Sequence, residues 1–134
     1  MKEKRVLLPP GWPRPKGYVN GVEAEGRMVF IAGQVGWNPT AEPPQFSKDF
    51  IEQFDQALSN VLAVLSEAKG TPADITRMTI YVTDKKEYLE SLMGVGAVWK
   101  KRMGKNYPAM ALVQVVALVE DEAKVEIEAT AVLK

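Results

Sequence analysis

Two stretches of the sequence repeat their apolar residues every three or four positions, which is the spacing of one face of an α-helix. The first lies between Ser47, its predicted N-cap, and Gly70. The second begins at Asp84, which forms a capping-box pattern with Glu87, and ends at Gly104. The positions predicted to face the core are Phe50, Ile51, Phe54, Ala57, Leu58, Val61, Leu62, Leu65 and Ala68 in the first helix, and Tyr88, Leu89, Leu92, Val95, Trp99 and Met103 in the second.

Alternating apolar and polar residues predict five β-strands around these helices. They cover residues 18–25, 28–32, 75–82, 109–118 and 124–132. Gly26 and Arg27 lie between the first two strands, which predicts a hairpin. The order β-β-α-β-α-β-β indicates an α+β domain with a mixed sheet. Both helices should cover the same face, because crossover connections are right-handed.

The segment before the first strand is rich in prolines. Residues 9–17 hold four prolines and two glycines, so they predict neither a helix nor a central strand. We interpret residues 1–17 as an extended arm of a single domain that spans residues 1–134. Trp12 either pins this arm on the core as a surface strap, or the arm folds over a site and brings the cations Arg14 and Lys16 to it.

Residues 109–118 predict a strand that is apolar on both faces, apart from Gln114. Since the helices cover only one face, the other face has to be buried against a partner. A second copy of the chain is the partner that gives a closed assembly, and we expect a homo-oligomer. In the last strand, Val125, Ile127, Ala129 and Ala131 are predicted to face the helices, while Glu126, Glu128 and Thr130 point the other way.

Composition narrows the possible chemistry. The 134 residues contain no Cys and no His, which excludes thiolate nucleophiles and imidazole acid–base catalysis. The formal net charge is zero, which argues against a nucleic-acid partner. No apolar run approaches the roughly 20 residues that span a bilayer, and the first residues lack a signal-peptide pattern, so we expect a cytoplasmic protein without a membrane partner. No phosphate-loop or metal-ligand motif is present, and we expect no metal or cofactor.

Five spaced blocks of the chain resemble the RidA/YjgF family. They read GYVNGV at 17–22, FIAGQV at 30–35, QALSNV at 56–61, YPA at 107–109 and VEIEA at 125–129. The resemblance implies a chorismate-mutase-like (YjgF-type) fold that closes a barrel in a homotrimer, with clefts between subunits. It also implies hydrolysis of reactive imines and enamines, such as 2-aminoacrylate, to a keto acid and ammonia, without a metal or cofactor.

The chain departs from the family pattern where substrate binding is expected. In the active branch, an Arg two residues after the Pro of the Pro-Ala-Arg block holds the substrate carboxylate, and Met110 stands at that position here. Ala32, Leu92 and Leu112 also replace polar or small residues of the pattern. The resemblance therefore implies a more apolar pocket and a substrate other than 2-aminoacrylate, unless Arg14 or Lys16 on the arm replaces the missing Arg.

Four residues of the family pattern carry over, namely Tyr18, Gly33, Gln34 and Glu126. The resemblance implies that Glu126 positions the hydrolytic water and that Tyr18 closes the cleft. Backbone amides near Gly33 and Ala109 would hold an oxygen. The substrate-binding candidates are Gly33, Gln34, Trp37, Ala109, Met110 and Arg14.

Each of these residues also has a purely structural explanation. Met110 fits a core or interface position, Trp37 fits packing at a subunit boundary, and Glu126 fits a solvated carboxylate or one paired with Lys124. We predict a RidA-like protein that hydrolyses a reactive imine, an enamine or a related small metabolite. The alternative is a non-catalytic trimer that binds a small ligand or regulates. The endoribonuclease activity named for some family members comes third, because the chain is neutral and lacks His.

Overall fold

The computed structural model describes residues 4–134. Its strands are β1 (Arg5–Leu7), β2 (Gly21–Glu23), β3 (Arg27–Val35), β4 (Trp37–Asn38), β5 (Gln45–Phe46), β6 (Ile75–Val82), β7 (Ala109–Gln114) and β8 (Val125–Leu133). Its helices are α1 (Phe50–Glu67), α2 (Lys85–Glu90) and α3 (Leu92–Met103), and a short 3-10 turn at Pro72–Asp74 precedes β6.

The main sheet has four strands in the order β3-β8-β6-β7. β8 runs antiparallel to β3 and β6, while β6 and β7 are parallel, so the sheet is mixed, as predicted. Because side chains alternate along β8, Val125 and Ile127 are buried beneath the helices while Glu126 and Glu128 face the other side. The predicted α+β fold with two main helices on one face of the sheet is confirmed.

The N-cap of helix α1 lies two residues after the predicted cap, Ser47. This N-cap is Asp49, whose carboxylate accepts a hydrogen bond from the Glu52 amide at 3.0 Å. The Ser47 hydroxyl instead donates to the Glu52 carboxylate at 2.7 Å. The prediction of Ser47 as the cap was wrong, because both residue types cap helices and only the backbone path selects one. At the other end, the Gly70 amide donates to the Leu65 carbonyl at 3.1 Å.

The single helix predicted after Asp84 is two helices, α2 and α3, which are separated at Ser91. Asp84 caps α2 by accepting from two backbone amides of the first turn, at 3.0 and 3.2 Å. Leu89 and Leu92 lie on either side of the break and expose 56% and 50% of their surface, whereas Val98 is buried. The prediction that Leu89 and Leu92 face the core was therefore wrong.

Two contacts hold α3 against α1. The Asp55 carboxylate accepts from Arg102 Nε at 2.7 Å and from Lys101 Nζ at 2.9 Å. These hydrogen bonds, the one from Arg102 first, lower the pKa of Asp55. Gly94 packs so closely on Ile51 that a larger side chain would collide with it, which explains a glycine that is costly inside a helix.

The N-terminal strands form a small sheet of their own. β2 pairs with β1 and not with β3, so the predicted hairpin was wrong. The chain does turn at Gly26, but β3, which follows the turn, pairs with β8. Long-range packing decides which strand β3 pairs with. β1 lies within the predicted extended arm, whose first three residues lie outside the described part of the chain. The Val19 amide donates to the Pro108 carbonyl at 3.2 Å and ties the arm's end to the start of β7.

Strand β7 ends at Gln114, four residues before its predicted end. The Gln114 side chain accepts from the Lys85 amide at 2.8 Å, which joins the strand's end to the start of α2. Val116 and Val119, beyond this point, are fully exposed. Between residues 4 and 134, no helix is long and apolar enough to cross a membrane.

The face of the main sheet opposite the helices is uncovered in a single chain. Phe30 and Met28 of β3 expose 72% and 58% of their surface there. Tyr81 of β6 lies on the same face and donates a hydrogen bond to Glu128. A sheet face with exposed large apolar side chains is typical of an interaction surface. The homo-oligomer remains a prediction.

Candidate functional site

A pocket of about 530 Å³ lies at the β7 edge of the sheet, on the side of the helices. Met110 and Leu112 of β7 line it, because they pair with Met78 and Ile80 of β6, whose side chains are buried beneath the helices. We call it the Met110 pocket. Its other lining residues are Lys16, Gly17, Tyr18, Phe54, Ile80, Tyr88, Leu92, Val95, Gly96, Trp99 and Tyr107.

Residues that the family pattern treats as one site meet in this pocket, although they are far apart in the sequence. Tyr18, which carries over, lines it together with Leu92, Met110 and Leu112, which depart from the pattern. Three positions that are polar or small in the pattern are thus apolar around a single cavity. An unpaired anion placed among them would lose its hydration without a compensating partner.

An aromatic wall bounds the pocket. The rings of Trp99 and Tyr107 stack with their centroids 5.9 Å apart and an angle of 8° between their planes. Trp99 Nε1 donates to the Asn106 carbonyl at 3.2 Å, so the polar atom of the indole has its partner outside the cavity. The wall is therefore flat and apolar, which suits a planar or branched apolar group.

Polar groups in the pocket are few. Burial raises the pKa of the Tyr88 phenol, so this side chain stays a neutral hydroxyl at physiological pH. The exposed Lys16 contributes the only cation among the lining residues described. Gly96 faces open space, with no other atom close to the position of an added side chain. A ligand thus meets apolar walls, phenol hydroxyls and one positive charge.

Glu126 lies on the opposite face of the sheet from Met110. Its carboxylate rests against the backbone of Gly33 on β3, and any side chain at residue 33 would collide with it. Tyr81 lies beside it, and the hydrogen bond from Tyr81 to Glu128 is the main cause of the raised pKa of Tyr81. We call this place the Gly33–Glu126 corner. It holds a half-buried carboxylate against the exposed backbone of Gly33.

The remaining candidates lie in separate places. The Gln34 side chain donates to a neighbouring backbone carbonyl at 3.1 Å. Trp37 packs against Phe46, with ring centroids 5.7 Å apart. Ala109 is at the start of β7, and Arg14 lines a different cavity beneath the arm. None of these lines the Met110 pocket.

One chain therefore brings together Tyr18 with Met110, and Gly33 with Glu126, but does not join the two pairs. Lys124, which the sequence offered as a partner for Glu126, pairs with Glu87 at 3.0 Å instead.

Three pocket residues, Trp99, Tyr88 and Gly96, were missed as site residues. The two aromatics fit the helical repeat of the core, and only the cost of Gly96 inside a helix marked it. Within residues 4–134, no group of three or more His, Cys, Asp or Glu could hold a metal ion.

Comparison with known proteins shows the same domain elsewhere. The model of a family described as Endoribonuclease L-PSP matches residues 13–133. A RutC family protein of Haemophilus influenzae is 36% identical over 118 residues, covering 87% of each chain. The protein named "Putative reactive intermediate deaminase TdcF" in Escherichia coli is 37% identical over 119 residues, covering 86% of this chain and 85% of its own.

Solved structures agree with these relatives. The crystal structure of YyfB of Yersinia pestis, described as a Rid family protein of unknown function, has a TM-score of 0.84 and 34% identity, covering 99% of this chain and all of its own. Escherichia coli TdcF with bound serine has a TM-score of 0.69 and 32% identity, covering 97% of this chain and 99% of its own. The chain therefore shares its fold with these Rid and TdcF structures.

Proposed function

Because the chain belongs to the RidA/YjgF family, we propose that it hydrolyses a reactive imine or enamine that carries an apolar substituent. The observation that carries this proposal is the Met110 pocket, in which Leu92, Met110 and Leu112 replace the polar or small residues of the family pattern. An apolar cavity favours an imine with a long apolar side chain over 2-aminoacrylate, which is small and offers little apolar surface to bury.

The reaction needs a water molecule and a group that moves protons. Water adds to the carbon of the C=N bond and gives a carbon that bears a hydroxyl and an amino group. Loss of ammonia from this carbon leaves a C=O bond, and an enamine first becomes the imine by taking a proton on carbon and releasing one from nitrogen. We assign Glu126 to the water, because a carboxylate can accept its proton as the C–O bond forms and return it to the leaving nitrogen.

Tyr18, the second catalytic candidate, closes the cleft over the substrate. Backbone amides near Gly33 and Ala109 hold the oxygen of the newly formed C–O bond. Gln34 and Trp37 also contact the substrate. These roles rest on the family resemblance. The exposed Tyr18 ring beside Met110 and the open backbone at Gly33 support them.

The two halves of this site require more than one chain, because Glu126 and Met110 lie on opposite faces of the sheet. We propose that the protein is a homotrimer and that the reaction takes place in clefts between its subunits. The Gly33–Glu126 corner of one subunit then completes the Met110 pocket of the next. The uncovered apolar sheet face supports such an assembly, and so does the position of β3 and β7 as the edge strands of the four-stranded sheet.

The test measures release of keto acid and ammonia from imines generated in the assay. 2-Aminoacrylate is compared with imines of longer apolar side chains, for the wild type and for Met110→Arg. We expect the wild type to prefer the apolar imines and Met110→Arg to shift the preference towards 2-aminoacrylate. A wild type that prefers 2-aminoacrylate would contradict the proposed substrate and would direct attention to Lys16 and Arg14 as carboxylate partners.

A non-catalytic trimer that binds a small ligand is the second candidate. It is favoured by the absence of any carboxylate among the residues that line the Met110 pocket in a single described chain. Under this hypothesis, apolar ligands bind but no imine is turned over, and Glu126→Gln changes nothing. Ribonuclease activity remains the weakest candidate, because the chain has no net charge.

A further inference from the structure

A second cavity, of about 550 Å³, lies beneath the N-terminal arm. We call it the arm groove. Its charged lining residues are Lys4 from the chain start, Arg14 from the proline-rich loop and Lys105 from the turn after α3. The arm groove borders the Met110 pocket, since Tyr18 and Tyr107 line both.

The charges of the arm groove are unbalanced. Its described lining residues include no carboxylate. Among residues 4–134, Arg14 and Lys105 form no ion pair, whereas Arg102 pairs with Asp55 and Arg5 pairs with Glu23. In a chain of zero net charge, this leaves a local excess of positive charge at one cavity.

Lys4 is the most enclosed of these cations. Its ammonium donates to the Ile75 carbonyl at 3.3 Å. Burial lowers the pKa of Lys4, and the charge of Asp74 opposes that change. Lys4 is therefore partly engaged by the protein, while Arg14 and Lys105 are available to a ligand. Lys16, which lines the adjoining Met110 pocket, adds a further positive charge from the arm.

We propose that the arm groove binds the anionic group of a ligand whose apolar part occupies the Met110 pocket. The ligand is thus an amphipathic anion, and the arm, not β7, supplies the charges that recognise it. The inference rests on the proposed function only in using the Met110 pocket. An Arg can hold a carboxylate or phosphate by two parallel hydrogen bonds, and Lys105 adds a second charge from the turn after α3.

Two fluorescent probes of nearly equal apolar size test the proposal on the full chain. 8-Anilinonaphthalene-1-sulfonate carries the anionic group, and N-phenyl-1-naphthylamine lacks it. The variant Gly96→Phe fills the open space beside α3. Probe fluorescence that is lost in this variant therefore comes from probe bound in the Met110 pocket. We expect the sulfonate probe to bind more tightly than the neutral one, with an advantage that shrinks as salt is added.

Charge-removing variants then locate the anion. Arg14→Gln and Lys105→Gln should each weaken the sulfonate probe about two- to fivefold, and together about tenfold, as expected for partly exposed ion pairs. Binding of the neutral probe should not change. Lys48→Gln, which removes the same charge from an exposed site outside both cavities, should change neither probe by more than about twofold.

The results separate this inference from the proposed function. One outcome is that Gly96→Phe weakens binding of the neutral probe, while the sulfonate probe binds no more tightly than the neutral one. In that case the arm groove proposal is wrong and the Met110 pocket is supported. The same conclusion follows if Lys48→Gln weakens the sulfonate probe as much as Arg14→Gln does. If neither probe binds at the pocket, both proposals are wrong.

The head group is identified by competition. A phenylalkyl carboxylate and a phenylalkyl phosphate of the same length are used to displace the sulfonate probe. The stronger competitor shows which anion the groove prefers, and its advantage should disappear in the Arg14→Gln, Lys105→Gln double variant. If neither compound displaces the probe, the groove does not recognise anionic head groups and the proposal is wrong.

Discussion

The Met110 pocket and the Gly33–Glu126 corner differ in how much of the family pattern they keep. The corner retains the carboxylate and the glycine that makes room for it. The pocket is apolar at three positions where the resemblance implies polar or small residues, and stacked aromatic rings bound it. The residues assigned to the water and those assigned to the substrate thus lie in different places on one chain, so reaction and specificity can be tested by separate substitutions.

The largest expected effect comes from the corner. Glu126→Gln keeps the shape but removes the base, so we expect turnover of apolar imines to fall by about 10²- to 10⁴-fold. Affinity for a neutral apolar probe should stay within about twofold, because Gln keeps the size of Glu126 and the pocket walls within each described chain do not include it. Keto-acid release and probe fluorescence measure the two quantities. Equal losses of turnover and affinity would contradict the assignment of catalysis to the corner and of ligand binding to the pocket.

The proposed assembly is tested at Phe30, on the uncovered face of the sheet. Phe30→Glu would place a carboxylate in the interface at a cost of several kcal/mol, so we expect the trimer to dissociate, with a threefold loss of mass in light scattering. Met93→Glu is the matched control, because Met93 is 91% exposed but lies on α3. A wild type that is already monomeric would contradict the proposal that two chains share the site.

The pocket itself is tested at Gly96. Gly96→Phe should weaken binding of a neutral apolar probe by about tenfold or more, because the added ring occupies the cavity. Gly96→Ala adds one methyl group and should preserve binding while stabilising α3 by about 0.5–1 kcal/mol through its better helix propensity. Thermal unfolding and probe titration separate the two effects. If Gly96→Phe retains full affinity, the probe binds elsewhere.

The smallest effect concerns the contact that holds α3 beside the pocket. Since hydrogen bonds from Arg102 and Lys101 lower the pKa of Asp55, its charge stabilises the folded state above the ordinary pKa of 3.8. This contribution is lost as the pH falls through the lower folded-state pKa. Because these side chains are partly exposed, Asp55→Asn should cost at most about 1 kcal/mol at neutral pH.

Denaturant unfolding at several pH values measures this cost. The difference between wild type and Asp55→Asn should vanish in strong acid. A difference that is the same at all pH values would show that the charge of Asp55 is not its cause. Lys48→Gln serves as a control for a charge change outside this contact.

Local patterns allowed much of the fold to be predicted. The buried face of α1 and the alternation along β8 were read correctly, because each depends on neighbouring residues within one element. The partner of β2, the break at Ser91 and the early end of β7 were not, because each depends on contacts between distant segments. The types of residue in the candidate site could be predicted from the sequence. Which of these residues lie together in one cavity could not.

By itself, the sequence determined that this chain forms an α+β domain of a known family, with an apolar residue where a substrate-binding Arg is expected. Only the tertiary structure decided that Met110, Leu92 and Leu112 share one cavity, and that Met110 lies on the helix side of the sheet, opposite Glu126. The physical reason is strand register. A shift of one residue between β6 and β7 would turn Met110 to the opposite face, and that register is set by the packing of the whole sheet against the helices.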